Sequence, residues 1–210
     1  MKQYSPKNTL YLYSINDEEF ILEKEAIKKD DNFYHPISGH KLEWIQEESY
    51  FFKMNKFTHW LIDYVEKNKN FIIPKNIWKE LKNNFLDKNL EDLSVTRISF
   101  EWGIQITKDP KHVIYVWLDA LFNYISALGF DFENPQKDFI KYWKNGDEIV
   151  HIVGKEITRF HCIYWPIFLK SLDIRLPTTI LSHGWLITPE GKMSKSKGNV
   201  IDPLSLLNKY

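Results

Sequence analysis

EIVHIVGKEITRFHCIYWPIFLKSL, Glu148 to Leu172, decides the fold. An apolar run ends at Gly154, and from Glu156 the apolar residues recur at intervals of three and four. The first part reads as a strand, Glu148 to Gly154, and the second as a helix that contains Pro166. Similar units flank it. HVIYVWL, His112 to Leu118, reads as a strand buried on both faces, followed by a helix, DALFNYISALGF, that Gly129 stops. Phe139, Ile140 and Trp143 mark another helix, and TTILSHGWL, Thr178 to Leu186, a last strand. Strand–helix alternation from 112 to 186 predicts an α/β fold with parallel β/α units. Ligands of such sheets bind at the carboxyl ends of the strands. Trp117 to Ala120, Gly154 to Glu156 and His183 to Trp185 are expected there.

The first half is less regular. TLYLYS (Thr9 to Ser14) reads as a strand, and HPISGHKLEW (His35 to Trp44) as turns leading into another. His35 and His40 have neither cysteines nor a well-spaced carboxylate for company, so they read as surface turn histidines rather than metal ligands. Two helices follow. Phe57, Leu61, Tyr64 and Val65 line one face of the first; Pro74 opens the second, with Ile77, Leu81 and Phe85 on one face. Their polar faces carry Lys, Glu and Asn, as scaffold helices do.

Composition limits the function. The chain has 210 residues, 43% hydrophobic and 16% aromatic, enough for a substantial core. Lys+Arg and Asp+Glu each total 28, so there is no global basic field, and binding to nucleic acid must rest on a local patch. The single cysteine, Cys162, excludes a disulfide framework and a cysteine zinc site within the chain. No run reaches the roughly 18 apolar residues of a membrane helix, and no signal peptide opens the sequence. The expectation is a soluble protein of the cytoplasm or of an organelle, with no membrane and no DNA partner.

Three features carry chemistry. Gly154 lets backbone approach a ligand, and Glu156 at the start of a helix can accept hydrogen bonds from ribose hydroxyls. An acidic first-turn residue that suits the helix dipole is the equal alternative. Ile157, Phe160 and His161 share a helical face and, with Trp117, Ala120 and Tyr124, can wall a small aromatic pocket; each taken singly also fits a core. EGKMSKSKGN, Glu190 to Asn199, is either a solvated tail or a mobile phosphate-binding loop. Two lysines three apart can meet one triphosphate, and charge on departing pyrophosphate is stabilised by such cations.

Lys192-Met193-Ser194-Lys195-Ser196 reproduces the second signature of class I aminoacyl-tRNA synthetases. With ISFEWGI, YVWLDALFNYISALGF, HIVGKEITRFHCIYWPIFL and HGWLITPEGKMSKSKGNVIDP, in that order, the chain resembles the methionyl-tRNA synthetase family from about Thr9 to its end. The resemblance implies a methionine pocket at Trp117, Ala120, Tyr124, Ile157, Phe160 and His161, with Arg97 beside it. It implies an ATP site at Gly154, Glu156, His183, Gly184 and the loop residues Lys192, Met193, Ser194, Lys195 and Ser196. Lys192 and Lys195 would stabilise the triphosphate. ATP with Mg2+, L-methionine and tRNA(Met) are the implied substrates, methionyl-adenylate the intermediate, and no structural zinc is expected. Many relatives carry Asp at the place of Glu156.

The first class I signature, His-Ile-Gly-His, is absent, and HPISGH does not fit it. The resemblance therefore implies an internal piece. Residues 1–111 correspond to the connective insertion, with a metal-free knuckle at about 9–45 and a helical part at about 54–90. Residues 112–198 correspond to the second half of the Rossmann-type catalytic sheet with its loop, and 199–210 to the start of the linker towards an anticodon-binding domain. Such a piece is expected to be inactive alone. Another class I synthetase for a hydrophobic amino acid, or a non-catalytic RNA- or partner-binding module, are the competing readings.

Overall fold

The computed structural model describes residues 6–16, 19–21, 23, 26–36, 38–87, 90–99, 101–185, 187–189, 191–193 and 198–207. The chain divides into two compact units, Met1–Asn55 with Glu91–Asn123, and Lys56–Leu90 with Tyr124–Tyr210. This division differs from the sequence boundary at 111, because the helical stretch after residue 56 groups with the second unit.

The first unit is antiparallel. β1 (Lys7–Ser14), β2 (Glu19–Ile21), β3 (Ile27–Lys29), β4 (Asn32–Tyr34) and β5 (Lys41–Ser49) form a sheet in the order β2-β1-β5-β4-β3. Leu12, Ile21 and Leu42 are its core, with Ala26 and Phe33 packed against them. His35 corrects the sequence reading. It is buried, and its Nδ1 accepts the Ser38 amide at 3.0 Å, so it closes the turn from inside. β6 (Phe51–Phe52) pairs with β8 (Leu93–Ser94). β9 (Thr96–Arg97), β10 (Gln105–Ile106) and β11 (Asp109–Ile114) form a further sheet in the order β10-β11-β9.

β11 is where HVIYVWL was expected to be a buried parallel strand. It is antiparallel and ends at Ile114, and α3 (Val116–Ser126) begins within the same apolar run. An unbroken apolar run does not by itself separate strand from helix, and here it holds some of each.

The second unit contains the parallel sheet. α1 (Thr58–Lys67) buries Leu61 and Val65. After it, β7 (Ile72–Ile73) joins β12 (Val150–Gly154) and β13 (Thr179–His183) in the order β12-β13-β7, all parallel. Along β12 burial alternates: His151 and Val153 face inward while Val150 and Ile152 are exposed. α2 (Lys75–Leu81) runs into a wide π turn over Lys82–Leu86. The extra residue in that turn rotates the face, so Leu86 rather than Phe85 follows Ile77 and Leu81 into the core. A second wide turn, Phe139–Lys144, buries Phe139 and Trp143 and leaves Ile140 outside.

The helix after β12 enters through a 3-10 turn (Lys155–Ile157) and widens at Phe160–Tyr164 before α4 (Trp165–Ser171). Pro166 explains the widening. It has no N–H to give the carbonyl four residues back, and its ring crowds that carbonyl. From His161 to Leu169 every side chain is buried, Trp165 completely. Burial pushes the Cys162 thiol up to about 12, so it behaves as a small apolar group. β14 (Ile187–Thr188) and β15 (Gly191–Lys192) form a hairpin, and Asp202 caps α5 (Pro203–Leu207) by accepting the Leu204 and Ser205 amides. No helix among the described residues is long and apolar enough to cross a membrane.

Candidate functional site

Gly154 and His183 are register partners at the carboxyl ends of β12 and β13. The chain leaves β12 through an extended Gly154 (φ −69°, ψ 154°) and turns at once. The Glu156 side chain folds back over that glycine: a methyl group at position 154 would lie 2.6 Å from Oε2. The turn is held from both sides. The Thr158 hydroxyl donates to the Lys155 carbonyl at 2.7 Å, and the Lys155 ammonium lies 3.3 Å from Glu80 on α2. An exposed carboxylate is thus presented at a strand end, where it can accept two hydroxyl hydrogen bonds. His183 Nδ1 donates to the Gly184 carbonyl at 2.8 Å, and both residues are exposed.

A part-buried hydrogen-bond chain lies in the same unit. His161 Nδ1 is 2.9 Å from the Ile157 carbonyl and its Nε2 is 2.8 Å from the Tyr124 hydroxyl. A carbonyl only accepts, so Nδ1 carries the proton. Burial lowers the pKa of His161, which keeps the ring neutral and leaves Nε2 as an acceptor. The Tyr124 hydroxyl therefore donates to Nε2 and keeps its lone pairs for another group. Burial also raises the pKa of Tyr124.

His151, not singled out from the sequence, backs this pair. Its ring centroid is 4.3 Å from that of Tyr124 and 5.9 Å from that of His161. Its Nε2 accepts the Trp165 indole N–H at 3.2 Å. Indole only donates, so His151 is neutral as well, and burial together with His161 lowers its pKa to about 4. The sequence did carry a signal: His151 is the one polar residue on the inward alternation of an otherwise apolar strand. Tyr124, His151, His161, Trp143 and Trp165 form an aromatic cluster with directed polar atoms and no net charge. Such a surface suits an uncharged, polarisable group rather than an ion.

Ile157 and Phe160 lie in the turns beside His161, half-buried, with the Phe160 ring edge-on to Tyr164. Trp117 and Ala120 belong to the part of α3 that lies in the first unit, seven and four residues before Tyr124 along that helix. Arg97 is buried in the first unit on β9. Its guanidinium donates to the Ser94 hydroxyl and the Thr96 carbonyl and lies 4.1 Å from the Tyr115 ring. The backbone of Lys192 ends β15, and Met193 Sδ accepts the Ile201 amide at 3.5 Å. Ser194, Lys195 and Ser196 lie outside the described residues.

The profile of the family "tRNA synthetases class I (M)" matches residues 26–210. The methionine–tRNA ligase of Mycoplasmopsis pulmonis (strain UAB CTIP) is 59% identical over 210 residues, covering 97% of this chain and 41% of that protein. That of Bacillus subtilis (strain 168) is 50% identical over 205 residues, covering 94% and 30%. Among solved structures, Mycobacterium tuberculosis methionyl-tRNA synthetase bound by methionyl-adenylate superposes with a TM-score of 0.82 at 39% identity, covering 97% of this chain and 39% of that one. The chain thus spans well under half the length of these relatives. Motif, architecture and similarity agree, and this chain belongs to the class I methionyl-tRNA synthetase family.

Proposed function

We propose that this chain supplies the methionine pocket, the ribose contact and the triphosphate loop of an enzyme that activates L-methionine with ATP and charges tRNA(Met). The observation that carries the reading is the fixed polarity of Ile157 carbonyl, His161 and Tyr124 in the unit that also presents Glu156 at a strand end. The neutral rings of Tyr124 and His161, with Phe160, Ile157, Trp117 and Ala120, would hold the thioether side chain. Glu156 would accept the ribose hydroxyls, with Gly154, His183 and Gly184 leaving room for the nucleotide. Lys192 and Lys195 would meet the phosphates, with Met193, Ser194 and Ser196 shaping the loop.

In the reaction a methionine carboxylate oxygen attacks the α-phosphorus of ATP. The new P–O bond forms as the bond to the β-phosphate bridging oxygen breaks, and pyrophosphate leaves. No general base is needed, so orientation of the two substrates and the loop cations carry the rate. Among the described residues no group of three His, Cys, Asp or Glu is placed to hold a metal ion, and no step here runs through Mg2+, which we read as arriving with the triphosphate. We keep residues 1–111, 112–198 and 199–210 as insertion, catalytic half and linker in evolutionary terms, and the cytoplasm as the setting.

Methionine-dependent ATP–pyrophosphate exchange, measured on the full-length protein that carries this chain, tests the reading. His161→Ala takes away the partner of a directed hydroxyl and is expected to lower kcat/KM for methionine about a hundredfold. Glu156→Gln is expected to raise KM for ATP while sparing that for methionine. Exchange driven by isoleucine or valine instead of methionine would overturn it.

A further inference from the structure

A cavity of about 280 Å3 in the second unit is used by nothing in that reading. Its floor is apolar, from Val65 of α1, Ile72 of β7 and the half-buried ring of Trp78 on α2. Its rim is basic. Lys75, Lys79 and Lys82 follow one another at intervals of four and three along α2 and its continuation, and Lys69 completes the rim. Glu66 is the single acid lining it, and it is taken by Lys82 at 2.8 Å. The ammonium groups of Lys75 and Lys79 make no ion pair or hydrogen bond among the described residues.

In a chain whose formal charge is zero, four ammonium groups around one slot are a local excess. A lysine-rich helix face by itself is a solvated face. Here the lysines surround a concave apolar floor with a flat indole in it. That combination, an aromatic platform between cations, is what binds unpaired nucleotides: the base stacks and the backbone phosphates are neutralised. An acidic peptide would use the lysines but gains little from the indole, and an apolar partner would have to desolvate the ammonium groups.

We propose that this slot docks a single-stranded stretch of RNA, one base on Trp78 and the flanking phosphates on Lys69, Lys75 and Lys79. The inference rests on the proposed function in that the RNA is then part of the tRNA to be charged.

The experiment is equilibrium binding of unacylated tRNA(Met) to the full-length protein across a salt series, with pyrophosphate exchange followed in parallel. The triple variant Lys69→Gln, Lys75→Gln, Lys79→Gln is expected to flatten the log K against log salt slope by about 2, at roughly 0.7 per single-strand phosphate. Trp78→Ala is expected to weaken binding about tenfold and Trp78→Phe to restore most of it, because stacking needs only a flat ring. Methionine-dependent exchange stays at the wild-type level in all of them, since none of these residues belongs to the amino-acid or ATP site. An unchanged slope in the triple variant overturns the proposal. So does equal competition by a polyglutamate peptide of matched charge, which would make the slot a protein-binding one. If the wild type shows no exchange at all, the synthetase reading fails, and the salt slope still decides the slot.

Discussion

Each unit seals a histidine from solvent, and the two surroundings are opposites. In the first, His112 on β11 meets the Thr96 hydroxyl at 3.0 Å through Nδ1, with Glu48 at 3.3 Å and Asp109 at 3.6 Å from Nε2. The Tyr50 hydroxyl donates to the same Asp109, and Lys111 pairs with Glu48. These groups join strands of two sheets, β5 and the β9–β11 ladder, by side-chain bonds. In the second, His151 and His161 meet rings, a carbonyl and a hydroxyl, and burial holds both below the usual histidine range. The first unit uses polar groups to cross-link short strands that bury little apolar surface. The second, with a continuous apolar core, holds them as neutral, aimed groups beside the candidate site.

The buried pair Arg97–Glu47 puts the largest number on that difference. Glu47 Oε1 accepts the amides of Ile98 and Ser99 at 2.8 and 3.1 Å, and its other oxygen lies 3.9 Å from Arg97 Nε. Arg97→Ala strands the carboxylate in the interior and is expected to lower unfolding stability by roughly 3–5 kcal/mol in urea titrations. Adding Glu47→Gln to Arg97→Met, which keeps the amide acceptor and removes both charges, is expected to recover most of it. Arg97 was assigned from the sequence to the methionine site. A cost below about 1 kcal/mol together with a raised KM for methionine would return it to that role and break the contrast between the units.

Acid is expected to separate the units next. The unfolded pKa of His151 is near 6.5 and the folded value is about 4, so the unfolded chain binds the extra proton first. The stability that neutral His151 contributes is full above pH 6.5 and falls as the pH drops towards 4. At pH 5 the loss amounts to about 2 kcal/mol relative to pH 7. His161, shifted in the same direction, adds to it. His151→Phe keeps the ring packing on Tyr124, removes the titration and leaves the Trp165 N–H without its acceptor. It is expected to be less stable at pH 7 by about 1–3 kcal/mol and flatter between pH 7 and 5. A slope as steep as in the wild type would place the acid sensitivity elsewhere.

The elements that carry the candidate site were more legible in the sequence than the frame around them, for physical reasons. The strand–turn–helix at Gly154 was readable because a long β-branched run, a glycine and a helical period coincide. β7 was not, because two residues offer no period; only its ladder to β13 defines it, with the Ile180 amide on the Phe71 carbonyl at 2.7 Å. The face of α2 was misjudged by one residue, since its π turn inserts a residue that a 3.6 period does not anticipate. His112 to Leu118 misled because apolar continuity carries no direction: the antiparallel pairing of β11 comes from its neighbours. His151 was visible as a polar residue in an apolar alternation, but its partners Tyr124 and Trp165 come from 27 residues before it and 14 after it, and only the fold brings the three together.

Two glycines sharpen the comparison with the smallest effect. Gly103 in the first unit has φ +142°, and a methyl there would touch Val113 at 3.4 Å. Gly103→Ala forces a backbone conformation that L residues avoid and is expected to cost about 1–2 kcal/mol. Gly154 in the second unit has φ −69°, which any residue accepts, so the backbone does not require glycine. What a methyl would meet is the Glu156 carboxylate, the end of an exposed and flexible side chain. That end can swing aside at little cost, and Gly154→Ala is expected to leave unfolding stability within about 0.5 kcal/mol of wild type. The carboxylate can no longer lie where it does, so KM for ATP should rise severalfold while KM for methionine holds. The opposite pair of results, a destabilised protein with unchanged KM for ATP, would mean that Gly154 serves the turn as Gly103 serves its own, and that Glu156 is an ordinary first-turn acid.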